Sequence, residues 1–233
     1  MLTTETKSNL IARTTVTEGV VCYLRDAIIR GELKADEALQ ESRVGQILGV
    51  SRAPVRESLT ILEREGLIAF DRRGTARVCH FRLREVQELG LMRLSLEPVA
   101  VRLMTELQPK HEIAAIEKNI QEIKAADSLE EITYLDLDFH RLIVSSTGNK
   151  RLTNAWCNLA SQFLLVMKRF HQAWNRKTRS VRETTVRAHS ELYQAIILGK
   201  IDEAEAVARR HAIGWLEELE QSNAFAPGNE ATQ

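Results

Sequence analysis

Apolar residues recur at helical spacing along most of the chain, and one short region breaks that rhythm. Val20, Leu24, Ala27 and Ile28 share one face of a helix predicted from Val16 or Thr17 to Arg30, with Thr17 as its N-cap and Gly31 as its stop. Residues 43–49 form a short helix carrying Val44, Ile47 and Leu48, closed by Gly49. Ser51 then caps a second helix with Pro54 in its first turn, where a missing N–H costs nothing. That helix turns Val55, Leu59 and Leu62 inward and ends at Gly66. The break follows: residues 67–70 and 75–78 alternate as short strands around the basic turn Asp71-Arg72-Arg73-Gly74, which predicts a hairpin.

Beyond Arg84 no strand pattern survives. Six amphipathic helices are expected near 84–107, 109–126, 128–147, 149–173, 178–198 and 201–222. They are separated at Pro109, Asp127-Ser128, Gly148-Asn149, Asn175 and Gly199-Lys200. Residues 1–15 and 223–233 lack periodicity and are expected to be a flexible arm and a disordered tail. The domains are then 16–79 and 85–222, joined by a linker at 80–84.

Charge changes this picture more than composition does. The 233 residues carry a formal net charge of zero. Between Ser51 and Arg84, however, eight arginines face four acids, while 18 basic and 21 acidic residues follow from Glu85 onward. A basic segment is thus joined to a slightly acidic body. No run approaches the ~18 apolar residues of a membrane span, and Met1–Arg13 does not read as a secretion signal. Cys22, Cys79 and Cys157 have no metal-type spacing; they fit a reducing cytoplasm and are expected to be small buried apolar residues.

The basic segment contains the sharpest motif. A short helix, a glycine turn and a second capped helix make a helix-turn-helix, whose second helix enters the major groove of DNA by its N-terminal residues. Ser51, Arg52, Ala53, Pro54 and Arg56 occupy those positions, and Arg52 and Arg56 lie four apart on one face. Either arginine can fork onto guanine O6 and N7 or clamp a phosphate. Arg72, Arg73 and Arg77 around Gly74 add positive charge for the backbone or the minor groove.

The run from Tyr23 to Val78 resembles the winged helix-turn-helix of the GntR family. The likeness is carried by Ile28-Ile29-Arg30-Gly31-Glu32-Leu33, Leu39-Gln40-Glu41, the stretch Leu48 to Leu59 (LGVSRAPVRESL), and Leu62-Glu63-Arg64-Glu65-Gly66-Leu67-Ile68. Two positions depart from it. Ala35-Asp36 stands where the family usually has Pro-Gly, and Gly45 replaces a usual Ala, at an expected cost of about 0.5–1 kcal/mol. The resemblance implies a mainly α fold: an N-terminal winged helix-turn-helix with a small β-hairpin wing, and a C-terminal all-α bundle.

Within the helical body, Asp136 and His140 are four apart on one predicted helix face. His189 lies ten residues before Gly199 and His211 twelve after it. A hairpin at Gly199-Lys200 would put both ~15–18 Å from the turn, level with each other. Three imidazoles and a carboxylate suit zinc, nickel or manganese; spacing alone does not prefer this to three unrelated histidines, each satisfied locally. The region from Arg84 to Leu219 also resembles the FCD effector domain of the FadR-type branch, through Arg93, Leu96-Glu97, Asp136, Phe139-His140, Gly148-Asn149-Lys150-Arg151-Leu152, His189 and His211. That resemblance implies a divalent metal held by Asp136, His140, His189 and His211. Ala188 departs from it, where an acid often precedes the histidine.

Open positions on such an ion would be filled in a sensor by a small carboxylate effector, with Arg93 gripping its far oxygen and Asn149 a weaker candidate that serves equally well as a helix cap. Arg102 and Arg141 read as surface residues, and Trp156, Trp174 and Trp215 as core or pocket wall. His80, His111 and His171 receive no role. The expectation is a homodimeric repressor on a short palindromic DNA operator, released when the acid binds. Two alternatives remain: a metal-dependent enzyme fused to a DNA-binding head, and a helical body that only dimerises.

Overall fold

A computed structural model describes residues 15–175, 180–221 and Phe225. The predicted arm and tail lie outside these residues, apart from Thr15 and Phe225. The chain divides into two compact units, one up to His80 and one from Phe81 onward.

The first unit opens with α1 (Val16–Arg30). Its cap is Thr15 rather than Thr17: the Thr15 hydroxyl accepts from the Glu18 N–H, and the Glu18 carboxylate accepts from the Thr15 N–H. Thr17 donates instead to Glu57. β1 (Ala38–Leu39), α2 (Glu41–Leu48), α3 (Arg52–Arg64), β2 (Ile68–Phe70) and β3 (Ala76–Val78) follow. The hairpin β2–β3 is joined by β1 into a three-stranded antiparallel sheet of order β1-β3-β2. β1 was not expected, because two residues are too few for an alternating pattern. Val20, Leu24, Ala27 and Ile28 of α1 and Val55, Leu59 and Leu62 of α3 are all buried, as the periodicity requires. Ile47 is not; it is exposed.

Both departures from the family pattern have structural accounts. Asp36 has φ 64°, the left-handed region a glycine would take, so the turn keeps its shape with a residue that tolerates it. A Cβ on Gly45 would stand 2.8 Å from the Val50 carbonyl oxygen. The glycine is therefore required by a close backbone approach, and the cost expected for it is reversed.

The second unit is all-helical among the described residues: α4 (Leu83–Leu107), α5 (Lys110–Ala125), α6 (Leu129–Ser146), α7 (Lys150–Cys157), α8 (Ala160–Asn175), α9 (Val181–Ile197) and α10 (Ile201–Gln221). The helix expected at 149–173 is two, broken after Cys157 by a turn without proline or glycine to announce it. α6 packs against α4, α5, α7, α8 and α9 and forms the centre of the bundle. α4 and α10 pair along their length, and Gly90 lets them approach: a Cβ there would meet Leu216 at 2.8 Å. α9 and α10 fold back on each other at Gly199, which has φ 68°. No described helix is long and apolar enough to cross a membrane. The cysteines are free, but Cys22 and Cys157 are exposed, against the expectation of burial. Cys79 is partly buried, and desolvation raises its thiol pKa to about 11.

Candidate functional site

Two sets of residues carry chemistry, one in each unit. In the first, α3 presents Arg52, Ala53 and Pro54 at its exposed N-terminal turn. Ser51 occupies the N-cap position without a capping hydrogen bond from its side chain. Arg56 is exposed but engaged: its Nε and Nη2 donate to the two carboxylate oxygens of Glu41 at 2.7 and 2.9 Å. Arg72, Arg73 and Gly74 form the tip between β2 and β3, with Gly74 at φ 76° and Asp71 accepting from the Arg73 and Thr75 N–H groups. Arg77 is held within the fold by Asp71 and by the Asp36 carbonyl, so it serves the wing's shape.

In the second unit, α4, α6, α9 and α10 bring Arg93, Asp136, His140, His189 and His211 together. One ring nitrogen from each of the three histidines lies within 4.8 Å of the others. Asp136 Oδ1 stands 3.0 Å from His189 Nε2 and 3.4 Å from His140 Nε2, and His211 Nε2 is 3.5 Å from His140 Nε2. Two donors each ~2.1 Å from an ion stand about 3.0–3.4 Å apart at right or tetrahedral angles. The Asp136–His189, Asp136–His140 and His140–His211 pairs are near that spacing, while the residues whose ligand atoms all meet within 4.8 Å are the three histidines without Asp136. Burial lowers the pKa of His189 to about 4 despite Asp136 beside it, and burial together with Arg93 holds His211 well below its usual value. Both imidazoles therefore offer lone pairs at neutral pH. Burial and Arg93 oppose protonation of His140, yet Glu97 and Asp136 outweigh them and raise its pKa. Burial disfavours the Asp136 anion, but bonds from His140, His171 and His189 hold its pKa far down. The Nδ1 of His189 is buried with no hydrogen-bond partner, and the ring stacks on Phe139 at 3.6 Å.

Sequence reasoning gave no role to the groups that hold these residues in place. Glu97, one turn beyond Arg93, accepts from Arg93 Nε at 3.0 Å and from Trp156 Nε1 at 3.2 Å, and stands 3.0 Å from His140 Nδ1. The Arg93–Glu97 spacing of four was the available signal. His171, dismissed from sequence, is buried between Thr133 at 2.8 Å and the second oxygen of Asp136 at 3.2 Å. Nothing in the sequence links Thr133 to a residue 38 positions away. Arg93 itself points at the imidazoles: Nη2 contacts His140 and lies 3.3 Å from His211 Nε2. A cavity of about 250 Å³ opens onto the cluster, lined by Arg93, Asp136, His171, His189, His211, Trp174 and Trp215 among others. Asn149 is not part of its wall; it caps α7, accepting from the Arg151 and Leu152 N–H groups. Trp156 is core, whereas Trp174 and Trp215 are cavity wall.

Residues 16–78 match the family described as bacterial regulatory proteins, gntR family, and residues 88–213 match the FCD domain. The chain belongs to the GntR family. This is a family of transcription regulators, so the enzyme alternative falls away. The GntR protein is 32% identical over 135 residues to the HTH-type transcriptional regulator YdhC of Bacillus subtilis (strain 168), covering 56% of this chain and 60% of that one. It is 28% identical over 143 residues to the gluconate operon transcriptional repressor of Bacillus licheniformis, covering 60% and 58%. Either alignment thus spans less than two thirds of the relative. The fold matches a GntR transcriptional regulator from Rhodococcus sp. RHA1 with a TM-score of 0.72 at 22% identity, over 89% of this chain and 99% of that one.

Proposed function

We propose that this GntR-family chain is a DNA-binding repressor whose affinity for its operator is controlled by a small organic acid, bound beside a divalent metal in the helical unit. The observation that carries this reading is the convergence of the His140, His189 and His211 imidazoles with the Asp136 carboxylate and the Arg93 guanidinium, of which all but His140 line one cavity. Asp136, His140, His189 and His211 would hold the ion, zinc, nickel or manganese by the chemistry of the donors. When bound, the metal supplies a Lewis-acidic point for a carboxylate oxygen. Arg93 makes an acid the fitting ligand. Arg93 is paired with Glu97 through Nε, but its Nη2 is turned to the imidazoles beside the cavity, so a carboxylate there would meet both this N–H group and the ion. The Trp174 and Trp215 indole N–H groups, buried without partners, suit further acceptor atoms on the same ligand. The name of the gluconate operon repressor supports both the sign of the regulation and a sugar acid as the kind of signal.

The head meets DNA through Ser51, Arg52, Ala53, Pro54 and Arg56, with Arg72, Arg73 and Gly74 beside the backbone. The active species is a homodimer on a short palindrome. Leu91, Met92 and Val99 are exposed on one face of α4 and support self-association. The acid acts by its unequal affinity for two states of the chain. The reading is tested by selecting an operator from random duplexes with the full-length protein, then running gel shifts against a panel of small acids. Release by at least one acid in the metal-loaded protein is expected; binding unaffected by every acid tried would refute the control.

A further inference from the structure

The sequence leaves Arg52 and Arg56 with the same two options, a guanine or a phosphate. The Glu41 carboxylate separates them. It lies across the motif from α3 and takes Arg56 by Nε and Nη2, at 2.7 and 2.9 Å. A guanidinium has five N–H donors in a rigid plane, and this fork uses one edge of it. The opposite edge, Nη1 and the remaining N–H of Nη2, stays open, and a two-donor edge is what guanine O6 and N7 accept. The Arg56 side chain keeps 72% of its exposure, so the guanidinium stays accessible while it is held by Glu41.

The same carboxylate spoils Arg56 as a phosphate clamp. Its charge is already balanced, and an incoming phosphate would meet an anion alongside its target. Arg52, one turn earlier, also lies within the field of Glu41 but makes no hydrogen-bonded ion pair with it, so all its N–H donors are left for an anion at the helix start, where free N–H groups also favour one. We infer that Glu41 is a positioning residue for DNA recognition: it assigns Arg56 to a guanine in each half-site and leaves the phosphate to Arg52. This inference rests on the DNA-binding reading of the head.

The test uses the full-length protein and random 30-bp duplexes, selected by binding and sequenced, for wild type and for Glu41→Gln, Arg56→Lys, Arg56→Ala and Arg52→Ala. Affinity for the selected duplex is then measured across a salt series. In wild type, replacing one G·C pair per half-site is expected to weaken binding about tenfold or more. Glu41→Gln, Arg56→Lys and Arg56→Ala should each shrink that penalty below about threefold, at the same base pair. Arg56→Ala should leave the slope of log affinity against log salt unchanged, Arg52→Ala should reduce it by about 0.9, and Glu41→Gln should steepen it by a similar amount as Arg56 becomes free for a phosphate. Unchanged melting temperatures separate these effects from misfolding, since the Arg56–Glu41 pair is on the surface. A wild-type selection with no enriched sequence would overturn the inference together with the reading of the head. Enrichment by wild type with an unaltered profile in Glu41→Gln, or a salt slope that falls in Arg56→Ala, would overturn the inference alone.

Discussion

The two units solve opposite electrostatic problems. In the head, charges stand in water: Arg52 and the wing tip are exposed, and the Arg56–Glu41 pair lies at the surface, where ion pairs contribute little to stability. In the body, Arg93, Glu97, Asp136, His140, His171 and His189 are all buried and satisfied mostly by one another. Burying such groups is costly unless each has a partner. The head can therefore lose a functional side chain and keep its fold, whereas the body's site and its core are the same set of atoms.

Asp136→Ala should break that comparison most severely. It leaves three imidazoles without their shared carboxylate and should cost about 3–5 kcal/mol in denaturant unfolding. Arg56→Ala in the head should leave the unfolding midpoint where it was. Equal midpoints for Asp136→Ala and wild type would contradict the buried network. His189→Ala and His211→Ala should each lower the metal content found by elemental analysis, from about one ion per chain to a small fraction of it. Content that ignores both changes would remove the metal from the account.

Next in size is Gly45→Ala. Helix propensity alone says this substitution stabilises, but the Val50 carbonyl 2.8 Å from the new methyl predicts a loss of about 1–3 kcal/mol. A higher melting temperature in the variant would mean that the α2–α3 turn relaxes freely. The smallest expected effect distinguishes the two threonines at the start of α1. Thr15→Ala should cost about 1 kcal/mol through the lost cap, and Thr17→Ala only a few tenths.

Legibility in the sequence follows the same division. The head could be read from its order because its motif is contiguous: a glycine turn, a proline in a first turn and two arginines four apart all act locally. What escaped were features made by distance in the chain, namely β1 pairing with β3 and the Gly45–Val50 approach. In the body, the helical period gave every helix but the break after Cys157, which no proline or glycine marks. An i,i+4 pair and a symmetric hairpin placed Asp136, His140, His189 and His211 near one another, because α6, α9 and α10 are regular, but only the family resemblance grouped them as candidate ligands. Glu97 stood in the sequence as part of the family pattern and as an i,i+4 partner of Arg93, but with no role attached. His171 and Thr133 were not visible at all, since side-chain packing between α6 and α8 alone brings them together. For Asn149 the sequence left a ligand role and a helix cap equally open, and local backbone demand at the start of α7 puts it at the cap.

The central claim, that an acid and a metal act together in the body, is tested most directly by a thermal-shift screen of the full-length protein against small carboxylates, with and without chelator. At a hundredfold excess over its dissociation constant, a matching acid should raise the melting temperature by about 5–10 °C. The account predicts that this rise disappears with chelator and in His189→Ala. A rise of the same size in chelator would show that the acid binds without the metal, and would contradict the account.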